Sequence, residues 1–201
     1  LDQLENAATV QQEAAKKLSF GSKRTMRVAQ DLYEGIDVGP EGAVGLITYM
    51  RTDSTRVAES AATAAQEYLR VLFGKEYLAK GLQLYSDGKA KNTQDAHESV
   101  RPTDPSRRPD DVRKFLSPDQ FKLYQLIWQR FAASQMTQPI YEMTIVEFDL
   151  GKYLLRATGS ILLFDGSHVL STEGREPGGG TTVEDLPALP PPPRADDGGV
   201  R

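Results

Sequence analysis

The residue pattern predicts an α+β chain that is mainly helical over 1–136, carries a small antiparallel β segment over 137–172, and ends in a Gly/Pro-rich flexible tail over 173–201. Three observations predict this. Apolar residues recur at helical spacing in several stretches before residue 136. Strict alternation replaces that spacing after Gln138. Beyond Ser171 the chain turns to Gly178-Gly179-Gly180, the proline run 190–193 and Asp196-Asp197-Gly198-Gly199, which bury too little to offset the entropy of ordering. A Pro-rich run can also be a recognition ligand, but a linker is the simpler reading.

A first helix is expected over 7–18, with Val10, Ala14 and Leu18 in register, and a second over 22–34 from a Ser22 cap, presenting Met26, Ala29, Leu32 and Tyr33. Gly and Pro punctuate 35–45. Leu46, Ile47 and Tyr49 then read as a short extended run. An Ala-rich helix is expected over 56–72, with Thr52, Asp53, Ser54 and Thr55 as good N-cap types before it and Gly74 ending it.

Residues 79–110 are rich in Gly, Lys, Asp and Pro and read as loop, with a short helix following over 109–116. Ser117-Pro118-Asp119-Gln120 then combines a Ser cap, proline at the first helical position and Gln placed for a capping box. Phe121, Tyr124, Trp128 and Phe131 share one face of that helix. Such a stripe can stack bases, but core is the better reading. Strands are expected from Tyr141 to Glu147, Tyr153 to Thr158 and Ile161 to Phe164, separated by Asp149-Leu150-Gly151-Lys152 and by Gly159.

The chain has 201 residues, enough for a sizeable core. It lacks cysteine, which excludes disulfides and thiolate metal sites within it. It also lacks the run of about 18 apolar residues that would span a membrane, and no signal peptide is expected ahead of Leu1. The formal charge of −4 argues against strong non-specific binding to nucleic acid. Residues 171–201 hold six acids and three bases of the 28 and 24 in the chain, so the remainder is nearly neutral. A localised patch drawn from Lys23, Arg24, Arg27, Arg51, Arg56 and Arg101 is the expected route to DNA.

The densest chemistry lies in Gly45-Leu46-Ile47-Thr48-Tyr49-Met50-Arg51-Thr52-Asp53-Ser54-Thr55. Side chains two apart on an extended segment share a face, so Tyr49 and Arg51 would project together. A phenol can attack phosphorus while a guanidinium neutralises the phosphate oxygens. A helix start just beyond would favour the same anion. The ordinary alternative is a strand, a cap and a helix around a half-buried tyrosine.

That segment resembles the active-site signature of type IA DNA topoisomerases, and specifically of bacterial topoisomerase I. Asp95-Ala96-His97-Glu98-Ser99-Val100-Arg101-Pro102-Thr103 is similar to the family's D-A-H-E-A-I-R-P-T block. Gln11-Gln12-Glu13-Ala14-Ala15, Lys23-Arg24-Thr25-Met26 and Ala29-Gln30-Asp31-Leu32-Tyr33-Glu34-Gly35 resemble the helices that precede the tyrosine. The resemblance covers about 9–166; residues 1–8 and the tail depart from it. It implies a helical gate domain bearing the tyrosine, followed by part of the β arm. It also implies relaxation of negatively supercoiled DNA without ATP through a 5′-phosphotyrosyl intermediate, and the chain has no Walker-type phosphate loop.

By the same resemblance Tyr49 is the nucleophile and Arg51 holds the scissile phosphate. Thr52, Ser54, His97 and Arg101 contact DNA, and Asp53 only lines the site. Each has a plainer reading. His97 would be a satisfied structural histidine, Arg101 before Pro102 a loop charge, and Asp53 an N-cap. Magnesium in that family belongs to a Toprim domain whose acidic cluster does not occur here, so no metal site is expected in this chain. The expectation is an internal piece of a monomeric, cytoplasmic, nucleoid-associated enzyme. It would depend on the Toprim domain and the rest of the arm and be inactive alone. A non-catalytic single-stranded DNA-binding or interaction module is the alternative.

Overall fold

The computed structural model describes residues 6–85, 98–149 and 151–172. Six helices and two small antiparallel sheets make up this part, an α+β arrangement as expected. The tail at 173–201 and His97 lie outside the described residues.

Local signals set the first two helices. Asn6 caps α1 (Ala7–Leu18): its side chain accepts from the Ala8 and Thr9 N–H groups, and the Thr9 hydroxyl answers by accepting the Asn6 N–H at 2.8 Å. α2 (Ser22–Glu34) starts one position earlier than a Ser22 cap would give. Gly21 occupies the cap and Ser22 is the first helical residue. The buried stripe of α2 is Thr25, Val28, Ala29 and Leu32, which places Tyr33 at its edge, 40% exposed.

Within the stretch read as punctuation lies a hairpin of two-residue strands, β1 (Ile36–Asp37) and β2 (Ala43–Val44). α3 (Glu59–Phe73) begins three residues after the expected start, capped by the backbone of Ala58 with no side-chain bond. Residues 52–55 therefore do not cap it. Their neighbourhood is held by distant partners instead: Val57 N–H donates to the Leu84 carbonyl and Ser99 N–H to the Arg56 carbonyl, at 2.9 and 2.8 Å. Those bonds hold the backbone extended where local preference favours a helix.

α4 (Pro109–Val112) passes into a 3₁₀ turn over Arg113–Phe115. α5 (Pro118–Ser134) follows with the expected capping box. Gln120 N–H reaches the Ser117 hydroxyl at 3.3 Å, and Ser117 N–H reaches the Gln120 side chain at 3.0 Å. Tyr124, Trp128 and Phe131 are buried, so the aromatic face is core, while Phe121 is only half-buried. Its polar tips pin the loop outside: Tyr124 donates to the Arg107 carbonyl at 2.8 Å and Trp128 to the Pro105 carbonyl at 3.0 Å. Around α5 the main core gathers Val10, Leu32, Leu46, Ile47, Met50 and Val100. A smaller cluster joins Phe131 to Val57, Ala61, Ala62 and Ala65.

β3 (Ile140–Asp149) and β4 (Leu154–Phe164) form the second hairpin. Gly159 does not divide β4 as expected, because it pairs with Thr144 inside a continuous ladder. The base is tied down at the end of β4. Tyr77 donates to Asp165 at 2.9 Å and its ring lies 4.8 Å from that of Phe164. α6 (Val169–Thr172) then returns Leu170 to the core.

Candidate functional site

Residues 45–54 have no strand ladder, only an isolated bridge between Ile47 and Pro102. The short Tyr49 strand is thus absent as a regular element. Long-range bonds hold its first part instead, and the backbone bends at Met50 and Arg51. Leu46 N–H donates to the Leu32 carbonyl at 2.7 Å, and Thr103 N–H donates to the Leu46 carbonyl at 3.1 Å. Thr48 is clamped to the segment around Arg101. Its N–H donates to the Arg101 carbonyl at 2.9 Å. Its hydroxyl donates to the Ser99 carbonyl at 2.7 Å and accepts from the Arg101 N–H at 3.0 Å.

The result is a period-two sorting of side chains. Tyr49 is 42% exposed and Met50 1%; Arg51 is exposed and Thr52 6%; Asp53 is exposed and Ser54 3%. Tyr49, Arg51 and Asp53 therefore lie on the outer face, with Met50 anchored in the core beneath them. Thr52 and Ser54 lie on the inner face. Their hydroxyl oxygens accept from the Ser54 and Arg56 N–H groups, at 3.1 and 3.2 Å, closing two local turns.

Arg101 sits on the neighbouring segment, largely buried, with its guanidinium engaged. Its Nε donates to Glu98 at 2.7 Å, Nη2 lies 2.5 Å from the same oxygen, and Nη1 donates to the Pro102 carbonyl at 3.0 Å. The fold thus brings the Arg101 backbone to within one hydrogen bond of the residue before Tyr49. It also neutralises the Arg101 charge with Glu98. Arg24, another member of the expected basic patch, makes a two-pronged bond to Asp119 at 2.7 Å and lies over the Phe20 ring. That bond holds the Asp119 carboxyl below its ordinary range. Among the described residues, Arg51 shows no ion pair or hydrogen bond through its side chain, so its donors face outward.

Two participants were not singled out from sequence. Tyr33, at the end of α2, packs its ring against Tyr49 with centroids 5.4 Å apart and planes at 67°. Glu98 pairs with Arg101, a relation that their i, i+3 spacing already hinted at. Nothing local could have revealed the Thr48 clamp, whose partners lie 51 and 53 residues away.

No helix among the described residues is long and apolar enough to cross a membrane. A family model described as DNA topoisomerase matches residues 3–188. The structure of full-length topoisomerase I from Thermotoga maritima matches with a TM-score of 0.72 and 39% identity, over 87% of this chain and 27% of that one. The chain thus spans about a quarter of the length of that protein.

Proposed function

Because the chain belongs to the DNA topoisomerase family, in its bacterial type IA group, we propose that it supplies the nucleophile that opens one DNA strand during relaxation of negatively supercoiled DNA. The Tyr49 oxygen attacks a backbone phosphorus. A tyrosyl O–P bond forms and the P–O3′ bond breaks. The phenolic proton ends on the departing 3′ oxygen. The 5′-phosphotyrosyl link conserves the energy of the broken ester, so resealing is the same transfer reversed after strand passage and needs no nucleotide.

The observation that carries this reading is the sorting of 49–54, which puts the tyrosine and an outward-facing guanidinium on one side of an anchored segment. Arg51 neutralises the scissile phosphate. Arg101 and His97 contact the adjoining DNA, and Thr52 and Ser54 hold the segment in shape from beneath. Among the described residues no three His, Cys, Asp or Glu side chains gather as metal ligands would. The magnesium expected of the family does not fit this part of the chain. We assign its ligands to the Toprim domain of a longer, monomeric protein acting on DNA at the nucleoid. The chain by itself is then inactive.

The test is denaturing-gel detection of a covalent adduct between the full-length enzyme and a labelled single-stranded oligonucleotide. Tyr49→Phe is expected to abolish the adduct. An adduct that survives this substitution assigns the nucleophile elsewhere. A full-length protein that binds the oligonucleotide yet forms no adduct favours the non-catalytic module.

A further inference from the structure

We propose that Tyr33 is a positioning residue for Tyr49: its ring holds the nucleophile's ring edge-to-face and thereby selects the rotamer from which the phenolic oxygen attacks. This rests on the reading of Tyr49 as nucleophile. Tyr49 stands on an irregular segment, 42% exposed, and among the described residues the only aromatic ring packed against it is that of Tyr33. A half-exposed tyrosine left to itself samples several χ1 and χ2 states. In-line transfer at phosphorus uses only the few that present the oxygen to the scissile bond. The arrangement of the pair, 5.4 Å and 67°, lies in the favoured T-shaped range.

The backbone makes the two rings a single unit. Leu46 N–H is bonded to the carbonyl of Leu32, the residue before Tyr33. Gly45 approaches the Tyr33 carbonyl so closely that a Cβ there would stand 2.6 Å from its oxygen. The last turn of α2 and the start of the tyrosine segment are therefore in direct backbone contact. Tyr33 is itself 40% exposed, so its ring packs against that of Tyr49 without enclosing it. Its ring is also peripheral to the α2 packing stripe, which leaves orientation of Tyr49 as its main structural consequence.

The experiment measures single-turnover adduct formation by the full-length enzyme across oligonucleotide concentrations, with Tyr33→Ala, Tyr33→Leu, Tyr33→Phe and Tyr49→Phe side by side. Tyr33→Ala and Tyr33→Leu are expected to slow the saturating rate about 2- to 10-fold, the range that an aromatic pair supplies. The half-saturating concentration and the final adduct amplitude should stay unchanged. Tyr33→Phe, which keeps the ring, should restore the rate. A saturating rate unaltered in both Tyr33→Ala and Tyr33→Leu overturns the proposal. So does an equal loss in Tyr33→Phe, which would transfer the role to the hydroxyl, and so does a fall in amplitude alone, which reports folding. Adduct formation by Tyr49→Phe sinks the nucleophile reading itself, and is seen independently of any Tyr33 variant.

Discussion

The helical unit and the β3–β4 hairpin both carry amphipathic sequence patterns, yet only the first converts its pattern into burial. In α5 the apolar face is enclosed by α1, α2 and the loop around Pro105, and Tyr124, Trp128 and Phe131 vanish from solvent. Along the hairpin, Tyr141, Met143 and Ile145 on β3 and Leu155, Ile161 and Leu163 on β4 all stay exposed. Alternation of residue type specifies two faces. It does not supply the layer that covers either of them, and a lone hairpin is marginal in water. What holds this one is its base, where Tyr77, Asp165 and Gly166 meet the helical unit.

The sharpest test of that contrast is a pair of truncations. Leu32→Ala in the helical core should cost about 2–5 kcal/mol, whereas Ile145→Ala on the hairpin should stay within about 0.5 kcal/mol. Urea unfolding of the two variants reads both, and similar losses would mean that the hairpin is covered after all. A smaller effect is expected at the junction. Gly166 has φ +48°, and a Cβ there would meet the Thr137 oxygen at 2.5 Å. Gly166→Ala should therefore cost about 1–3 kcal/mol, with amide exchange accelerating in β3 and β4 ahead of α5. Uniform acceleration would show that the two regions unfold as one.

The smallest effect concerns the ionisation of a core group. Burial, more than the nearby charges of Arg107, Asp104 and Asp111, pushes the Tyr124 phenol well above its ordinary range. A raised folded value means that the unfolded chain releases the proton first. The contribution is complete below pH of about 10 and is lost as pH rises beyond it. Tyr77, raised chiefly by its bond to Asp165, works in the same direction. Tyr124→Phe forfeits the bond to Arg107, about 1 kcal/mol at neutral pH. Its stability should then decline less steeply than the parent's above pH 10 in thermal melts. Parallel alkaline declines would refute burial as the cause.

How much of this was legible beforehand followed the range of the interactions involved. The bounds of α1 and the start of α5 were readable because their caps and periodicity lie within a few residues. The start of α3 was not, since the bonds from Val57 to Leu84 and from Ser99 to Arg56 join segments far apart in sequence. β1 and β2 escaped notice because two-residue strands leave no periodicity among glycines. At the site, the shared face of Tyr49 and Arg51 followed from spacing alone. The inward turn of Thr52 and Ser54 followed from the same parity, but their value as helix caps obscured it.

That parity has a consequence for how the segment can vary. Its inner residues are fixed by the core and its ends by the bonds of Thr48 to Arg101 and of Arg56 to Ser99, so the outward set is determined by whether the residue count between anchors is odd or even. A single deletion between Met50 and Ser54 would leave Tyr49 in place but turn Arg51 or Asp53 into the interior. A paired deletion would restore the facing at reduced length. The segment is thus written in steps of two, and its tolerance to insertion and deletion should follow the same arithmetic.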